Sequence, residues 1–205
     1  MSGNVVHVST ATPSGRTRLP RAVRRTQLLD AAGSIIVQRG FDSLTMEALA
    51  DAAGVSKGLG YAYFDNVDDV VRSLWDRELE RLYRRLGDAL NEHGPFEEQI
   101  RASVSAYFDL VEERGSLFEV LRAHLAGPAS RSERRRRQPF VREVAGLVQN
   151  EFDATPRRAR ALAGLLMTVS ATSAWMWRTY RMPRDEMEEM CVAFMLAGVA
   201  AGADA

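Results

Sequence analysis

Apolar residues recur at intervals of three and four along most of the chain, which is the period of amphipathic α-helices. The first such stripe runs from Arg21 to Arg39 and stops at Gly40, a residue type that commonly ends helices. No segment of the sequence shows the strict alternation of apolar and polar residues that is typical of strands. The pattern therefore predicts an all-α fold with about nine helices.

The segment from Thr45 to Phe64 predicts two short helices that are joined by a tight turn. Thr45 is suited to cap helix 2, Gly54 to make the turn, and Ser56 to cap helix 3, which is expected to run to about Phe64. Two helices in this arrangement form a helix-turn-helix, in which the second helix enters the major groove of DNA. The segment therefore indicates sequence-specific DNA binding.

After this segment the same periodicity predicts a larger helical region. A long fourth helix is expected to start at about residues 66–69 and to end near Gly94. Further helices are predicted over residues 96–113, 117–125, 139–152, 156–180 and 183–198, with a break at residues 127–128. The arginine-rich stretch 130–138 is predicted to be a solvated loop, and a second nucleic-acid patch is the alternative.

The 205-residue chain has a formal net charge of zero, but its basic residues are unevenly distributed. Residues 1–64 contain seven basic and four acidic side chains, so this part carries the positive charge that phosphate contact requires. Because Cys191 is the single cysteine, no internal disulfide can form, which favours a cytoplasmic location. The longest uncharged stretch, Ala161 to Trp177, has 17 residues and is too short for a membrane-spanning helix.

A set of residues around the predicted helix-turn-helix keeps a defined order and spacing. In sequence order they are Arg39-Gly40-Phe41, Thr45, Leu49, Ala50, the run Ala53 to Gly58, Tyr61, Tyr63-Phe64 and Asn66. Over residues 21 to about 75 this order resembles the TetR family of bacterial transcriptional regulators. The resemblance implies a homodimer with a three-helix DNA-binding domain. It also implies a C-terminal domain that binds a small molecule and dimerises through its last two helices.

The same resemblance suggests how the chain is divided. Residues 1–20 are expected to be a flexible basic arm, residues 21–67 the helix-turn-helix domain, and residues 68–205 the ligand-binding and dimerisation domain. In the family's own division the DNA-binding domain extends to about residue 81. Five arginines near the arm are expected to add phosphate or minor-groove contacts, and a solvated tail is the alternative. They are Arg16, Arg18, Arg21, Arg24 and Arg25.

Three places in the motif depart from the family pattern. Leu59-Gly60 stands where threonine and leucine are usual, so Gly60 lacks a side chain that fills the three-helix core, and a glycine within a helix costs about 1 kcal/mol relative to alanine. Ala62 replaces a larger polar residue and leaves only apolar contact, for example with a thymine methyl group. Val67 stands where a phosphate-binding lysine is common. We therefore expect a less rigid and less polar recognition helix than is usual in the family.

Several residues of the motif are predicted to contact DNA. Lys57 is suited to donate to a guanine or a phosphate, and Tyr61, Tyr63 and Thr45 are suited to phosphate contact. The alternative is that Thr45 and Ser56 only cap helices and that the tyrosines belong partly to the core. The complete predicted DNA-binding set is Thr45, Ser56, Lys57, Gly58, Leu59, Tyr61, Ala62, Tyr63, Arg24 and Arg25.

Large apolar and aromatic side chains are frequent in the C-terminal region, and ligand pockets are lined mainly by such residues. The predicted ligand-binding set is Tyr107, Phe108, Phe118, Leu121, His124, Phe140, Met167, Trp175, Met176 and Trp177. Core packing is the alternative for each of them, and a surface position is a further alternative for His124. The scarcity of charged residues over 162–177 favours an apolar or aromatic ligand over a highly charged one.

The segment 156–181 is apolar around nearly its whole circumference, so we expect a partner chain to cover part of it. Together with the last helix, it would form a four-helix interface with two helices from each subunit. The predicted interface residues are Leu162, Leu165, Leu166, Val169, Met187, Met190, Phe194 and Met195.

Taken together, these features predict a transcriptional repressor that a small apolar or aromatic ligand releases from a palindromic DNA operator. Two alternatives stay open: a ligand-independent, constitutive or nucleoid-type DNA-binding protein, and a helical enzyme that carries a helix-turn-helix. No catalytic motif is recognisable in the sequence. No metal site or cofactor is predicted either, because His7, His93 and His124 lie far apart without nearby cysteine or acidic partners.

Overall fold

The computed structural model describes residues 19–91, 94–125 and 131–204. Nine α-helices account for most of these residues, and no strand occurs among them, so the predicted all-α fold is confirmed. His7, Arg16, Arg18, His93 and the break at 127–128 lie outside the described residues. The helices are α1 (Arg21–Arg39), α2 (Met46–Ala52), α3 (Lys57–Tyr61), α4 (Val67–Asn91), α5 (Phe96–Arg114), α6 (Ser116–His124), α7 (Arg131–Phe152), α8 (Pro156–Tyr180) and α9 (Arg184–Asp204).

The first three helices form a small module around one buried cluster. Leu28 and Ile36 on α1, Leu49 on α2 and Phe64 after α3 are almost completely buried and belong to the hydrophobic core. Helix α1 ends at Gly40, whose φ of +83° is a conformation that side chains with a Cβ rarely adopt. A 3-10 turn, Phe41–Ser43, then redirects the chain into α2. The apolar stripe of α1 therefore faces α2 and α4.

Helix α4 connects this module to the rest of the molecule. Its amino-terminal turns bury Val70, Val71 and Leu74, and Arg77 reaches back to α1, where its Nη1 lies 2.7 Å from a carboxylate oxygen of Asp30. Its later turns bury Leu82, Leu86 and Leu90 between α5 and α7. One rigid helix thus contacts both the amino-terminal module and the larger helical region.

Polar contacts show how the larger region is arranged around α4. Helix α5 runs antiparallel to α4, because Arg114 meets Glu78 while Arg85 meets Asp109. Helix α7 runs parallel to α4, as shown by contacts of Ser132 with Asp76, Arg136 with Glu80 and Asn91 with Glu143. Helices α8 and α9 pack against each other and close the remaining sides. Within the described part of the chain, none of the helices has the length and apolar character needed to cross a membrane.

Three helix boundaries differ from the sequence predictions. Helix α9 ends at Asp204, six residues after the predicted end at residue 198. The arginine-rich stretch predicted as a loop forms the first turns of α7 from Arg131 onwards, so that prediction was wrong. Arg136 pairs with Asp76 and Glu80, and these contacts hold the segment on α4 even though Pro139 lies inside the helix. Helix α3 ends at Tyr61, three residues before the predicted end at Phe64.

Candidate nucleic-acid interface and ligand cavity

The turn of the helix-turn-helix is fixed by two hydroxyl caps and one glycine. The Thr45 Oγ1 accepts a hydrogen bond of 3.0 Å from the backbone N–H of Ala48, and the Ser56 Oγ accepts one of 3.3 Å from the N–H of Leu59. Both side chains thereby satisfy amide groups that a helix start leaves unpaired. Gly54 between them has φ of +64°, which suits glycine and few other residues. The sequence prediction of both caps and of the turn is confirmed.

Three of the predicted DNA-binding residues surround one shallow depression on the outer face of this motif. Thr45, Lys57 and Tyr61 line it, and Tyr61 has 49% of its surface exposed. The same depression includes Glu47, whose carboxylate lies 3.7 Å from Lys57 Nζ. Both charged groups are largely exposed, so this ion pair adds little stability and can exchange for a contact with a phosphate.

The other residues of the recognition helix divide between the surface and the core. Ser56, Gly58 and Ala62 are exposed, and Leu59 is half-buried. Tyr63 is also half-buried and packs against the core, with the Arg21 guanidinium 5.2 Å above its ring centre. Tyr61 is therefore the more accessible of the two tyrosines.

Met46 fills the space beside Gly60. A methyl group added at Gly60 would lie 3.6 Å from Met46 Cε, which is an ordinary van der Waals distance. Met46 is itself buried, and the flexible methionine side chain is suited to fill irregular gaps. The missing side chain at residue 60 is thus compensated by a residue of α2 that the sequence analysis did not consider.

Arg24 and Arg25 are both engaged within the chain. Arg24 donates to Gln27, whose amide nitrogen donates in turn to the backbone oxygen of Ala53, at 2.6 and 2.9 Å. Arg25 donates to Ser73 on α4 at 2.7 Å, and its guanidinium lies 5.2 Å from the centre of the Phe64 ring. These contacts orient α1 against the motif and α4, and a role in DNA contact stays a prediction.

The larger region contains a cavity of about 300 Å³. Its wall is formed by residues of α4 to α9, most of them apolar. The lining side chains from α4 to α6 are Trp75, Leu79, Leu82, Tyr83, Leu86, Leu90, Ile100, Ser103, Tyr107, Phe118 and Arg122. Those from α7 to α9 are Glu133, Arg137, Phe140, Val144, Leu166, Met167, Thr168, Ser170, Ala171, Thr172 and Met195. This volume is at the lower end of the range for small-molecule sites, about 300–1,000 Å³.

Four of the ten residues predicted to bind a ligand line this cavity. They are Tyr107, Phe118, Phe140 and Met167. Phe108 and Leu121 are completely buried outside the lining, and the Phe108 ring lies 5.4 Å from that of Trp177. His124 stacks on Phe41 with ring centres 3.5 Å apart. Met176 is half-buried against the core, and Trp175 is exposed.

The polar lining residues are ones that the sequence analysis missed. Tyr83, Arg122, Glu133 and Arg137 all border the cavity. Burial raises the pKa of Tyr83 to about 12, although the nearby positive charge of Arg137 opposes this rise. The sequence shows that Leu79, Leu82 and Leu86 form an apolar face of α4. It does not show that this face borders a cavity, because residues that line a cavity and residues that fill a core have the same composition. The described residues contain no cluster of His, Cys, Asp or Glu that could hold a metal ion.

A buried carboxylate lies where the amino-terminal module meets the cavity region. Glu78 on α4 is only 2% exposed and accepts a bidentate pair of hydrogen bonds, 3.0 and 2.8 Å, from Arg114 on α5. Arg77 donates to the same carboxylate at 3.2 Å and also reaches Asp30 on α1. Hydrogen bonding to Glu78 raises the pKa of Arg114 above its ordinary value. We call Asp30, Arg77, Glu78 and Arg114 the Glu78 cluster.

Helix α6 touches both regions. Phe118 lines the cavity and lies 4.9 Å, between ring centres, from Trp75 on α4. A methyl group added at Gly33 on α1 would lie 3.4 Å from Leu117 Cδ2, so α1 and α6 approach each other closely. Together with the stacking of His124 on Phe41, this places α6 between the cavity and the helix-turn-helix module.

Helices α8 and α9 leave several large apolar side chains exposed. Leu165, Met190 and Phe194 from the predicted dimer interface are exposed, Phe194 by 68%. Leu162, Leu166, Met187 and Met195 are buried within the chain itself, and Val169 is half-buried. The predicted interface residues thus divide into an exposed row and an inward row. The exposed row is Leu165, Met190 and Phe194, and the inward row is Leu162, Leu166, Met187 and Met195.

Comparisons with known proteins agree with this geometry. Residues 28–74 match the family model of bacterial regulatory proteins, tetR family. The chain is 28% identical over 187 residues to the HTH-type transcriptional activator FasR of Mycolicibacterium smegmatis, covering 89% of this chain and 85% of that protein. Residues 28–74 therefore carry the TetR-family DNA-binding domain. The protein is a transcriptional regulator with a helix-turn-helix, and TetR-family regulators are not enzymes.

Two further relatives extend the comparison. The Fatty acid metabolism regulator protein of Bacillus subtilis is 28% identical over 85 residues, which is 42% of this chain and 44% of that protein. The chain therefore spans less than half of that relative. A solved TetR-like transcriptional regulator from Rhodococcus sp. RHA1 is 26% identical with a TM-score of 0.68, covering 89% of this chain and 99% of that one. Both helical regions therefore share the TetR-like architecture.

Proposed function

We propose that this TetR-family regulator is a repressor that binds a palindromic operator as a homodimer and is released by a small, mainly apolar ligand. The cavity carries the proposal, because Trp75 in its wall belongs to the same helix that packs against the DNA-binding module. A ligand that prefers one position of α4 lowers operator affinity to the extent that it binds one conformation better than the other.

For DNA contact, we propose Lys57 and Tyr61 as the principal side chains. Both are exposed beside the depression on the motif, and Lys57 is the first residue of α3, where positive helix polarity also favours anions. Thr45 and Ser56 use their hydroxyl oxygens as acceptors in the helix caps. We therefore propose that they contact phosphates by donating their backbone N–H or their hydroxyl proton. Gly58 would allow the helix backbone to lie close to the bases, and Leu59 and Ala62 would make apolar contacts with them.

For dimerisation, we propose that the exposed row on α8 and α9 meets its symmetry mate. Leu165, Met190 and Phe194 leave a large apolar surface uncovered in one chain, and such surfaces commonly mark protein interfaces. The inward row of Leu162, Leu166, Met187 and Met195 would then hold α8 and α9 in position. A two-fold dimer presents two α3 helices to successive major grooves, about 34 Å apart.

The sign of regulation and the class of ligand are further parts of the proposal. FasR is named a transcriptional activator, whereas the release mechanism proposed here describes a repressor. The Bacillus subtilis relative is named for fatty acid metabolism, which supports an aliphatic ligand. As a regulator of chromosomal genes, the protein would act in the bacterial cytoplasm. A reporter fused to the bound promoter gives the sign directly, because loss of a repressor increases expression.

Operator binding is tested by selecting bound fragments from genomic DNA and measuring their affinity in gel-shift assays. We expect Lys57→Ala and Tyr61→Ala each to weaken specific binding strongly while the circular dichroism spectrum is unchanged. Removing one phosphate contact in each subunit should also reduce the salt-dependence slope by about two. Arg142→Gln, an exposed change on α7 outside the arginine-rich stretch 130–138, is the control. Unchanged affinity of both motif variants would contradict the assignment.

Ligand release is tested by repeating the gel shift with a metabolite panel in which decanoic acid represents aliphatic compounds and indole represents aromatic ones. Couplings between two sites in one protein typically change affinity by about 5–150-fold. At least one compound should weaken operator binding within this range. Constant affinity across the whole panel would instead favour the ligand-independent DNA-binding protein.

A further inference from the structure

The cavity has a charged end and an apolar end. Arg122 on α6 and Glu133 and Arg137 on α7 line one end. This end lies close to the DNA-binding module, because the first turns of α7 contact Asp76 on α4. Towards the other end of α4 the lining is mainly apolar: Leu86, Leu90, Ile100 and Val144 lie there, and Ser103 adds one uncharged hydroxyl. The lining is therefore polarised along the axis of α4.

The lining of the cavity follows α4 over several turns. Its residues on this helix extend from Trp75 to Leu90, a distance of about 22 Å at the helical rise of 1.5 Å per residue. A chain that extends along α4 can contact both the charged end and the mainly apolar end of this lining.

Arg137 is available to a ligand. Its neighbour Arg136 is paired with Asp76 and Glu80, whereas none of the described residues forms a hydrogen bond or ion pair with Arg137. Arg137 is half-buried, and its guanidinium lies near Gly164 on α8, where an added methyl group would be 3.7 Å from Nη2. A partly buried cation without a partner is unfavourable until an anion reaches it.

The charges at this end sum to a positive value. Arg122 and Arg137 supply two guanidinium groups, and Glu133 supplies one carboxylate. Guanidinium groups bind carboxylates and phosphates through paired hydrogen bonds, which makes arginine well suited to anion recognition. The mainly apolar end, in contrast, gains most of its free energy of binding from burying apolar surface.

We propose that the cavity binds a linear acyl chain that ends in an anionic group. The anion lies beside Arg137 and Arg122, and the chain extends along α4 towards Leu90 and Val144. The inference rests on the proposed function, because it names the chemistry of the ligand that occupies the same cavity. Arg137 is the residue that distinguishes an anionic chain from a neutral chain of equal length.

The first experiment compares head groups by isothermal titration calorimetry on the full-length protein at pH 7.5, below micellar concentrations. The probes are decanoate, decyl phosphate, decan-1-ol and decyltrimethylammonium, which share one chain length. An anion should bind on the order of 10–100-fold more tightly than the alcohol, which is the range for hydrogen bonds to charged groups. The carboxylate and phosphate arms show which anion is preferred, and the ammonium compound should bind most weakly.

The second experiment identifies the residue. Arg137→Gln should reduce the affinity for decanoate or decyl phosphate by about tenfold or more, and leave the affinity for decan-1-ol unchanged. Arg135→Gln is the matched control, because it makes the same change on the same helix at an exposed site outside the lining. Val144→Phe, at the mainly apolar end, should lower the affinity for decanoate and leave the affinity for hexanoate unchanged, because only the longer chain is expected to reach this end.

The possible results separate this inference from the proposed function. Equal affinity for decanoate, decyl phosphate and decan-1-ol, or an equal loss in Arg137→Gln and Arg135→Gln, would overturn the inference and leave ligand release by another compound intact. Absence of binding by every ten-carbon probe would overturn it as well. If the anionic chains bind as expected but operator affinity does not respond, the inference stands and the proposed release mechanism fails.

Discussion

At the residue scale, the recognition helix shows how one position compensates for another. Gly60 removes a core side chain from α3, and Met46 from α2 occupies the neighbouring space. The fold therefore keeps a filled core, but it retains the conformational cost of glycine in a helix of only five residues. A glycine that has room for a methyl group is a site at which stability can be increased.

We predict that Gly60→Ala raises the free energy of unfolding by about 0.5–1 kcal/mol, because it improves helix propensity and meets Met46 at an ordinary contact distance. For a chain of this size a gain of 1 kcal/mol corresponds to an increase in Tm of about 2–4 °C, measured by thermal denaturation at fixed protein concentration.

Gly58→Ala is the informative comparison. Nothing lies within 4 Å of a methyl group added at Gly58, so the same helix gain is expected there. Gly58 is exposed on the proposed DNA face, however, and its variant should also lose operator affinity. A lower Tm for Gly60→Ala would show that Met46 cannot accommodate the methyl group.

At the element scale, α4 is held to its neighbours by a buried charge as well as by apolar packing. Glu78 receives hydrogen bonds from Arg114 on α5 and from Arg77, which also contacts α1. Burying a carboxylate is unfavourable unless its partners are well placed, so the Glu78 cluster favours one arrangement of the three helices. A change in the position of α4 must rearrange these bonds.

We predict that Glu78→Gln lowers the free energy of unfolding by about 2–4 kcal/mol, because it leaves Arg114 and Arg77 without their buried anion. Denaturant titration followed by circular dichroism measures this loss. Glu80→Gln is the control, since Glu80 is an exposed carboxylate on the same helix and should change stability by less than about 1 kcal/mol. Equal effects of the two variants would show that the Glu78 cluster has no special role.

Helix boundaries show where sequence reasoning succeeds and where it stops. Both ends of α1 and α8 could be predicted, because glycine, proline and capping residues mark them locally. The start of α7 could not, because the partners of Arg136 are Asp76 and Glu80, which are 60 and 56 positions away in sequence. The cavity shows the same limit of sequence reasoning. Phe108 on α5 and Phe118 on α6 are both buried aromatic residues, and only the packing of the helices decides that Phe118 borders the cavity.

At the scale of the whole molecule, a single chain leaves the exposed apolar row on α8 and α9 in contact with solvent. Leu165 and Phe194 expose more than half of their surfaces, although buried residues of the same helices fix their positions. The helix-turn-helix is formed by α2 and α3, far in sequence from α8 and α9. Dimerisation through α8 and α9 would therefore set the distance between the two recognition helices of a dimer. DNA affinity and self-association should then be linked.

We predict that Phe194→Glu converts the protein from a species of about twice the 22.8 kDa chain mass to a monomer, because it places a charge in the apolar interface. Light scattering measures the mass, and operator affinity should fall in the same variant. Val37→Glu is the control, since Val37 is an exposed apolar residue on α1. A wild-type protein that is monomeric at micromolar concentration would contradict the proposed dimer.

The close approach of α1 and α6 at Gly33 and Leu117 has a consequence for how such a regulator can evolve. The helix that carries Leu117 also carries Phe118 and Arg122, which border the cavity, so one element separates the cavity from the DNA-binding module. A substitution that enlarges the cavity from this side also changes the support of α1. If the cavity binds the proposed ligand, selection for a new ligand and selection for operator affinity therefore act on the same few side chains, and a change in one property is expected to alter the other.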